Sequence, residues 1–248
     1  LNPRFLASTC DGLARTLLTY PAKRLIPIPE KVDLRAAALA EPISVALNAI
    51  ESAGLREGEN VAIIGDGTIA YILAIVLNHV ASVSKQSLHV FGIVDEKLEL
   101  FSDFAYVVNT LKNPEASREM RDNFDVVFEA VGGKAQEKTL DQALDLLIPS
   151  GKAVILGIPA EEKVPLKTQK IIRKCLTIKG SFWSRMDHFE KAVELLRDKR
   201  FEEKVKRALS KKSFRIECAK DLEDALRYAD SEEGAARYSP GRVLVYFG

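Results

Sequence analysis

Cysteine is scarce in this sequence. The three residues, Cys10, Cys175 and Cys218, are odd in number and lie far apart, with no CxxC pair. Such a set is a poor disulfide framework and a poor metal-cluster motif, and it suits a protein with reduced thiols in the cytoplasm. Charge of one sign is also lacking: 36 basic and 35 acidic residues leave a formal charge of +1. A balanced surface gives no reason to expect nucleic acid as a partner. No apolar run is long enough to cross a bilayer, no secretory signal opens the chain, and no repeat or low-complexity segment is visible. What remains is a 248-residue chain, 47% hydrophobic. That is enough for one substantial core, or for one domain and part of another.

The pattern along the chain is an alternation of short apolar runs and amphipathic stretches. Strands are expected at 60–64, 88–91, 105–108, 125–129, 152–156 and 176–182, and helices at 68–80, 136–147, 168–174 and 187–197. Strands that alternate with helices indicate βαβ units and a parallel sheet, and uniformly apolar strands such as VAII suit a sheet covered on both faces. The first forty residues are irregular. They offer short strands at 16–20 and 24–28, each limited by proline. A helical stretch follows from Leu34 to Gly54, with Pro42 breaking or restarting it after Glu41. Beyond Arg200 the order loosens, with a strand at 213–217, a helix at 219–228 and a strand at 242–247.

One stretch carries chemistry. VAIIGDGTIAY, Val61 to Tyr71, runs from strand through Gly65-Asp66-Gly67-Thr68-Ile69-Ala70 into helix. This is the G-x-G-x-x-G/A arrangement of a dinucleotide turn. The first glycine makes the turn, the second lets backbone approach a diphosphate, and the small third residue lets helix and sheet pack closely. The helix N-terminus then faces the anion. A purely structural turn is the alternative. The second strand ends on Gly92, where an NAD site usually carries an acid. That favours NADP. The alternative is that Asp95, at the start of the next helix, curls back to serve NAD.

The stretches AEPISVALNAIESAG, VAIIGDGTIAY, DVVFEAVGG, GKAVILGIP and LTIKGSFWSR together resemble the medium-chain dehydrogenase/reductase family, the zinc-dependent alcohol and polyol dehydrogenases. Within that family the chain looks most like the NADPH-dependent ribulose-5-phosphate reductases. The resemblance implies a Rossmann doubly wound parallel sheet over residues 43–184. It implies the tail of a β-rich, GroES-like catalytic domain over 1–42, and a return to that domain over 185–248. Gly65, Gly67, Thr68, Ile69, Gly92, Val131, Gly132, Leu156, Gly157, Ile158, Phe182, Trp183 and Arg242 would then meet NADP or NAD. Glu41 would ligate zinc or hold its water, and Ser184 and Arg185 would approach a small polyol or sugar-phosphate substrate. Each has a plainer alternative: a surface acid for Glu41, core and interface packing for the aromatics, a solvated base for Arg242. His79, His89 and His188 are scattered and make no ligand set. Cys10 is not read as a nucleophile, and no catalytic residue is assigned. The family's zinc cysteine and His-Glu pair would lie upstream of Leu1. The resemblance also implies a homodimer joined through the LTIKGSFW strand. The rivals are a nucleotide-binding module or truncated scaffold without turnover, and a zinc-free quinone-type reductase, against which Glu41 argues.

Overall fold

The structure, a computed structural model, describes Leu6 and residues 9–231 and 241–247. Its centre is a six-stranded parallel sheet in the order β3-β2-β1-β4-β5-β6. The strands are β1 (Val61–Ile64), β2 (Leu88–Gly92), β3 (Tyr106–Asn109), β4 (Phe124–Glu129), β5 (Leu147–Ile155) and β6 (Thr177–Gly180). Period-two alternation divides β1 between two cores. Val61 and Ile63 join the cluster on one face of the sheet, Ala62 and Ile64 the cluster on the other. All four are buried, which is why the run contains no polar residue.

Helices α1 (Leu34–Ala37), α2 (Ala40–Ala53) and α3 (Thr68–Val80) share the first cluster with α8 (Met186–Leu195) and α9 (Lys199–Lys206). Eight consecutive residues of α3, Ala70 to Leu77, are buried. A helix apolar all round needs cover on every side. Here the sheet, α2 and α9 supply it. Tyr71 shows how complete that cover is. Its ring meets Phe101 edge-on at 5.2 Å, and its hydroxyl donates to the Lys204 carbonyl at 3.1 Å. Burial pushes the phenol up to about 12. The other face carries α6 (Gln136–Leu146) and α7 (Thr168–Lys174), while α4 (Asp95–Leu98) and α5 (Ala116–Glu119) are single turns.

Boundaries differ from the sequence expectation where local signals compete. Residues 16–20 and 24–28 form no strand; the described chain there is irregular, with a 3-10 turn at Ala22–Arg24. Pro21, Pro27 and Pro29 remove donors, and no neighbouring strand is present among the described residues to pair with. The helix restarts at Ala40 rather than after Glu41. Pro42 is tolerated because its first-turn position needs no intrahelical donor. Gly54 closes that helix in the left-handed conformation, as expected (φ 56°). Strand β5 begins five residues early, at Leu147, and α9 was not foreseen. The last elements, β7 (Leu209–Ile216), α10 (Ala219–Asp230) and β8 (Arg242–Phe247), form a separate two-stranded parallel sheet with α10 packed on it.

His89 on β2 is enclosed by the rings of Tyr106 and Phe124, at 5.2 and 5.1 Å, and its Nδ1 is buried without a partner. Burial lowers its pKa below the usual 6.5. The unfolded chain therefore takes up a proton first as pH falls. The stability this site contributes is whole above about pH 6.5 and is lost toward the lower folded value. His89→Leu should show a smaller drop in urea midpoint between pH 8 and pH 5 than the unsubstituted protein; equal drops would refute the assignment.

Candidate functional site

Strand order reverses between β1 and β4, and the loops leaving these strands lie side by side. The Ala130 amide donates to the Ile64 carbonyl at 2.9 Å. Gly65 turns the chain at φ 129°, a region side chains rarely adopt, and a Cβ there would stand 3.2 Å from the Ala130 carbonyl group. Gly67 is the N-cap of α3 and offers no side chain to its first-turn amides. A Cβ on Gly67 would meet nothing within 4 Å. The two glycines thus differ in cause: one is required by the fold, the other leaves space open.

Two cavities flank this turn. The first, about 790 Å³, is bounded by Gly65, Gly67, Gly92, Thr110, Val131 and Lys138 among others. The second, about 580 Å³, is bounded by Ile69 and Leu156, and by Glu41, Asn48, Phe182 and Ser184. Ile158 and Trp183 also line it. The first turn of α3 is the wall between them, with Gly67 on one side and Ile69 on the other. Residues 120 positions apart or more, Glu41 and the 182–184 segment, meet in the second cavity.

Buried beneath both loops is Glu129, the last residue of β4. Its Oε1 accepts from the amides of Val131 and Gly132, both at 3.0 Å, and from the Thr139 hydroxyl at 2.9 Å. Its Oε2 accepts from Gln136 Nε2 at 3.1 Å. These bonds shape the turn that carries Val131 into the first cavity. Gly132 (φ 65°) and Gly157 then touch backbone to backbone: a Cβ on Gly157 would lie 2.3 Å from the Gly132 nitrogen. The Gly133 amide donates to the Ile158 carbonyl at 2.7 Å, which holds Ile158 at the mouth of the second cavity.

At the end of β2 the acid absent from Gly92 is supplied from elsewhere. Asp66 Oδ2 accepts from the amides of Ile93 and Val94 at 2.8 and 2.9 Å. A Cβ on Gly92 would lie 2.7 Å from that same oxygen. Gly92 is therefore demanded sterically, and no acid fits at its position. Asp95 does not curl back; Asn109 bonds it at 2.5 Å and Lys112 pairs with it, and Lys112 holds its carboxyl below the usual range.

Arg185 lies outside both sets of lining residues. Its guanidinium forms a two-pronged pair with Glu51 (3.1 and 2.8 Å) and bonds Asp187 as well. His188, itself buried, accepts the Arg185 amide at Nδ1 (3.2 Å) and so donates from Nε2 to Glu51 at 2.7 Å. Arg185, then His188, pull the Glu51 carboxyl down to about 2. This cluster fastens α8 to α2. Arg242 stands exposed at the start of β8, opposite Leu209, and borders neither cavity.

Sequence reasoning missed Asn48, Asp66 and Glu129. Asn48 could have been found: Glu41, Val45 and Asn48 are spaced for one face of a helix. Among the described residues no three His, Cys, Asp or Glu side chains gather as a metal would require, and none of the described elements is long and apolar enough to cross a membrane as a helix. Glu41 is an exposed acid at the first turn of α2.

Residues 77–198 match the family model described as zinc-binding dehydrogenase. Ribulose-5-phosphate reductase 1 of Staphylococcus aureus is 33% identical over 196 residues, which cover 77% of this chain and 54% of that protein. The ribulose-5-phosphate reductase of Streptococcus pneumoniae is 30% identical over 211 residues, 83% of this chain and 58% of that protein. The chain thus spans little more than half the length of these relatives. The crystal structure of S. aureus TarJ in complex with NADPH superposes with a TM-score of 0.74 at 26% identity, over 90% of this chain and 67% of that one. Galactitol-1-phosphate dehydrogenase from Escherichia coli has a TM-score of 0.77 over 96% of this chain and 68% of that one; at 24% identity it speaks for the fold alone.

Proposed function

We propose that this chain, of which residues 77–198 match the zinc-binding dehydrogenase model, is the coenzyme-binding part of a polyol or sugar-phosphate oxidoreductase. The observation that carries this reading is the pair of cavities on either side of the glycine turn, one bordered by Gly67 and the other by Ile69. A dinucleotide has that shape: two ring systems joined by a diphosphate. The diphosphate would lie on Gly65, Gly67 and Thr68, where an uncapped helix end favours an anion. The adenosine half would occupy the cavity of Gly92 and Val131. The nicotinamide half would occupy the other, against Ile69, Leu156, Ile158, Phe182 and Trp183, with Gly132 and Gly157 holding its floor. Bound there, the coenzyme supplies a hydride to a carbonyl. Ser184 borders the same cavity, and with Arg185 beyond it would lie on the substrate side.

NADPH is the favoured coenzyme, supported by the TarJ complex and by an adenosine end whose lining carboxylates, Asp66, Asp141 and Asp145, are all already partnered. The relatives point to ribulose 5-phosphate as the substrate, reduced to ribitol 5-phosphate. In the same reading residues 43–184 carry the coenzyme, while 1–42 and 185–248 belong to the catalytic half. The exposed edge strand β6 pairs with a second copy, and the scattered free thiols suit the cytoplasm.

Zinc does not fit the described residues by themselves. Glu41 is one donor where about three are needed. The second reading is a nucleotide-binding module without turnover. NADPH oxidation with ribulose 5-phosphate by zinc-containing protein supports the enzyme. Tight coenzyme binding with no turnover supports the module.

Gly67→Ser tests the site directly. Serine is a good N-cap and meets no steric obstacle at this position. Thermal stability should hold or rise by a few tenths of a kcal/mol. NADPH affinity, by titration calorimetry, should fall about tenfold or more, since the hydroxyl takes amides that the diphosphate needs. Unchanged affinity would remove the diphosphate from this turn.

A further inference from the structure

Trp183 adopts φ 68°, the left-handed region that a bulky side chain rarely occupies. Such a conformation persists only where the surroundings hold it. Both ends of this short segment are held by one helix. On the upstream side, Asn48 Nδ2 donates to Ser181 Oγ at 2.9 Å and reaches the Phe182 carbonyl at 3.4 Å. On the downstream side, Glu51 takes the Arg185 guanidinium through both oxygens and His188 Nε2 at 2.7 Å. Asn48 and Glu51 are three positions apart on α2, hence on one face of it. The Ser181 amide is fixed to the sheet as well, donating to the Ile155 carbonyl at 2.9 Å. Between these anchors Phe182 and Trp183, rings 5.8 Å apart, stay 64% and 50% exposed beside the second cavity instead of folding into the core.

We propose that Asn48 and Glu51 are positioning residues: together they hold Trp183 in its left-handed conformation and so set the aromatic wall against which a planar ring binds in the second cavity. The inference rests on the coenzyme reading for the identity of that ring. The clamp itself does not, because the geometry is present in the protein alone.

Trp183 is the one tryptophan of the chain, so its fluorescence reports this wall without labelling. The experiment compares the full chain with Asn48→Ala, Glu51→Ala and the conservative Glu51→Asp. Three readings are taken: acrylamide quenching of the free protein, energy transfer from Trp183 to bound NADPH, and affinity for NADPH against affinity for 2′,5′-ADP, which has no nicotinamide. In both alanine variants, quenching should change and energy transfer should fall. NADPH affinity should drop between about threefold and a hundredfold, the scale of a displaced contact surface. Affinity for 2′,5′-ADP should stay within about twofold, and Glu51→Asp should recover part of the loss. Unchanged quenching and transfer in both alanine variants would overturn the clamp. Equal losses for NADPH and 2′,5′-ADP would overturn it too, by showing general loosening. Should the unsubstituted protein bind neither nucleotide, the coenzyme reading falls and the ring-binding role with it; that failure is told apart because it precedes any substitution.

Discussion

Replacing Gly157 with alanine should cost about 3 kcal/mol or more, above the usual range for an added core methyl. The added carbon would lie 2.3 Å from the Gly132 nitrogen, 2.5 Å from Glu129 Oε2 and 2.7 Å from the Gly132 Cα. Two of those three atoms are backbone and the third belongs to a side chain held by four bonds, so no flexible tip can move aside. Relief requires the β4 and β5 loops to part, which breaks the Gly133–Ile158 hydrogen bond. Gly132→Ala should be as severe, since it adds positive φ to a contact of 2.6 Å with Ile158. Gly180→Ala is the control: nothing lies within 4 Å of its added carbon, and the change should stay within about 0.5 kcal/mol. Chemical unfolding of the three variants decides the matter. A Gly157→Ala protein as stable as the Gly180→Ala control would show that the loops are not in contact.

The second large effect is expected at Glu129. Glu129→Leu preserves bulk but leaves the amides of Val131 and Gly132, the Thr139 hydroxyl and the Gln136 amide without their acceptor. Buried donors left unsatisfied cost about 1–3 kcal/mol each, less wherever local shifts admit water. A total of about 3–5 kcal/mol is expected, or roughly 8–15 °C in Tm for a chain of this size. Glu129→Gln should lose less than half of that. Its oxygen can keep the three donors on one side, while its NH2 faces the Gln136 NH2 on the other. Gln136 cannot simply turn over, because its Nε2 also donates to the Gly157 carbonyl at 2.6 Å. Equal stability of Glu129→Leu and the parent would show that water reaches these donors freely.

The contrast between these residues and the glycine turn explains what the sequence made legible. VAIIGDGTIAY declares itself because each constraint is local: a buried strand, a turn with positive φ, a helix start. The helix over 68–80 was accordingly placed to the residue. Gly92 is a harder case. Its lack of a side chain was visible, but the cause, the Asp66 carboxylate arriving from the neighbouring loop, depends on a contact 26 positions away. Glu129 looked like one more letter in an apolar strand. Its function exists only once β4 is followed by α6 in space. Helix α9 was overlooked because KRFEEKVK is mostly charged. Phe201 and Val205, four apart, are its main apolar anchors, and Glu202 is buried with them. Arg185 was read as a substrate contact from its place after the sixth strand, whereas its partners Glu51 and Asp187 answer for the charge.

Glu202 also links distant parts of the chain. It accepts the Asp33 amide at 2.7 Å, and Lys199 bonds the Lys31 carbonyl at 2.7 Å. Val32, Ala36 and Leu39 share one continuous apolar cluster with Phe201, Val205 and Leu209. The stretch that matches the family model, 77–198, omits both flanks of that seam, along with β1 and most of α3. The family model therefore marks out a piece that keeps the core on one face of the sheet, around Phe91, Phe124, Val127 and Leu147, but loses most of the core on the other. A fragment trimmed to 77–198 would lose its central strand, β1, and the helices α1, α2 and α9 that cover one face, and would present that face to water.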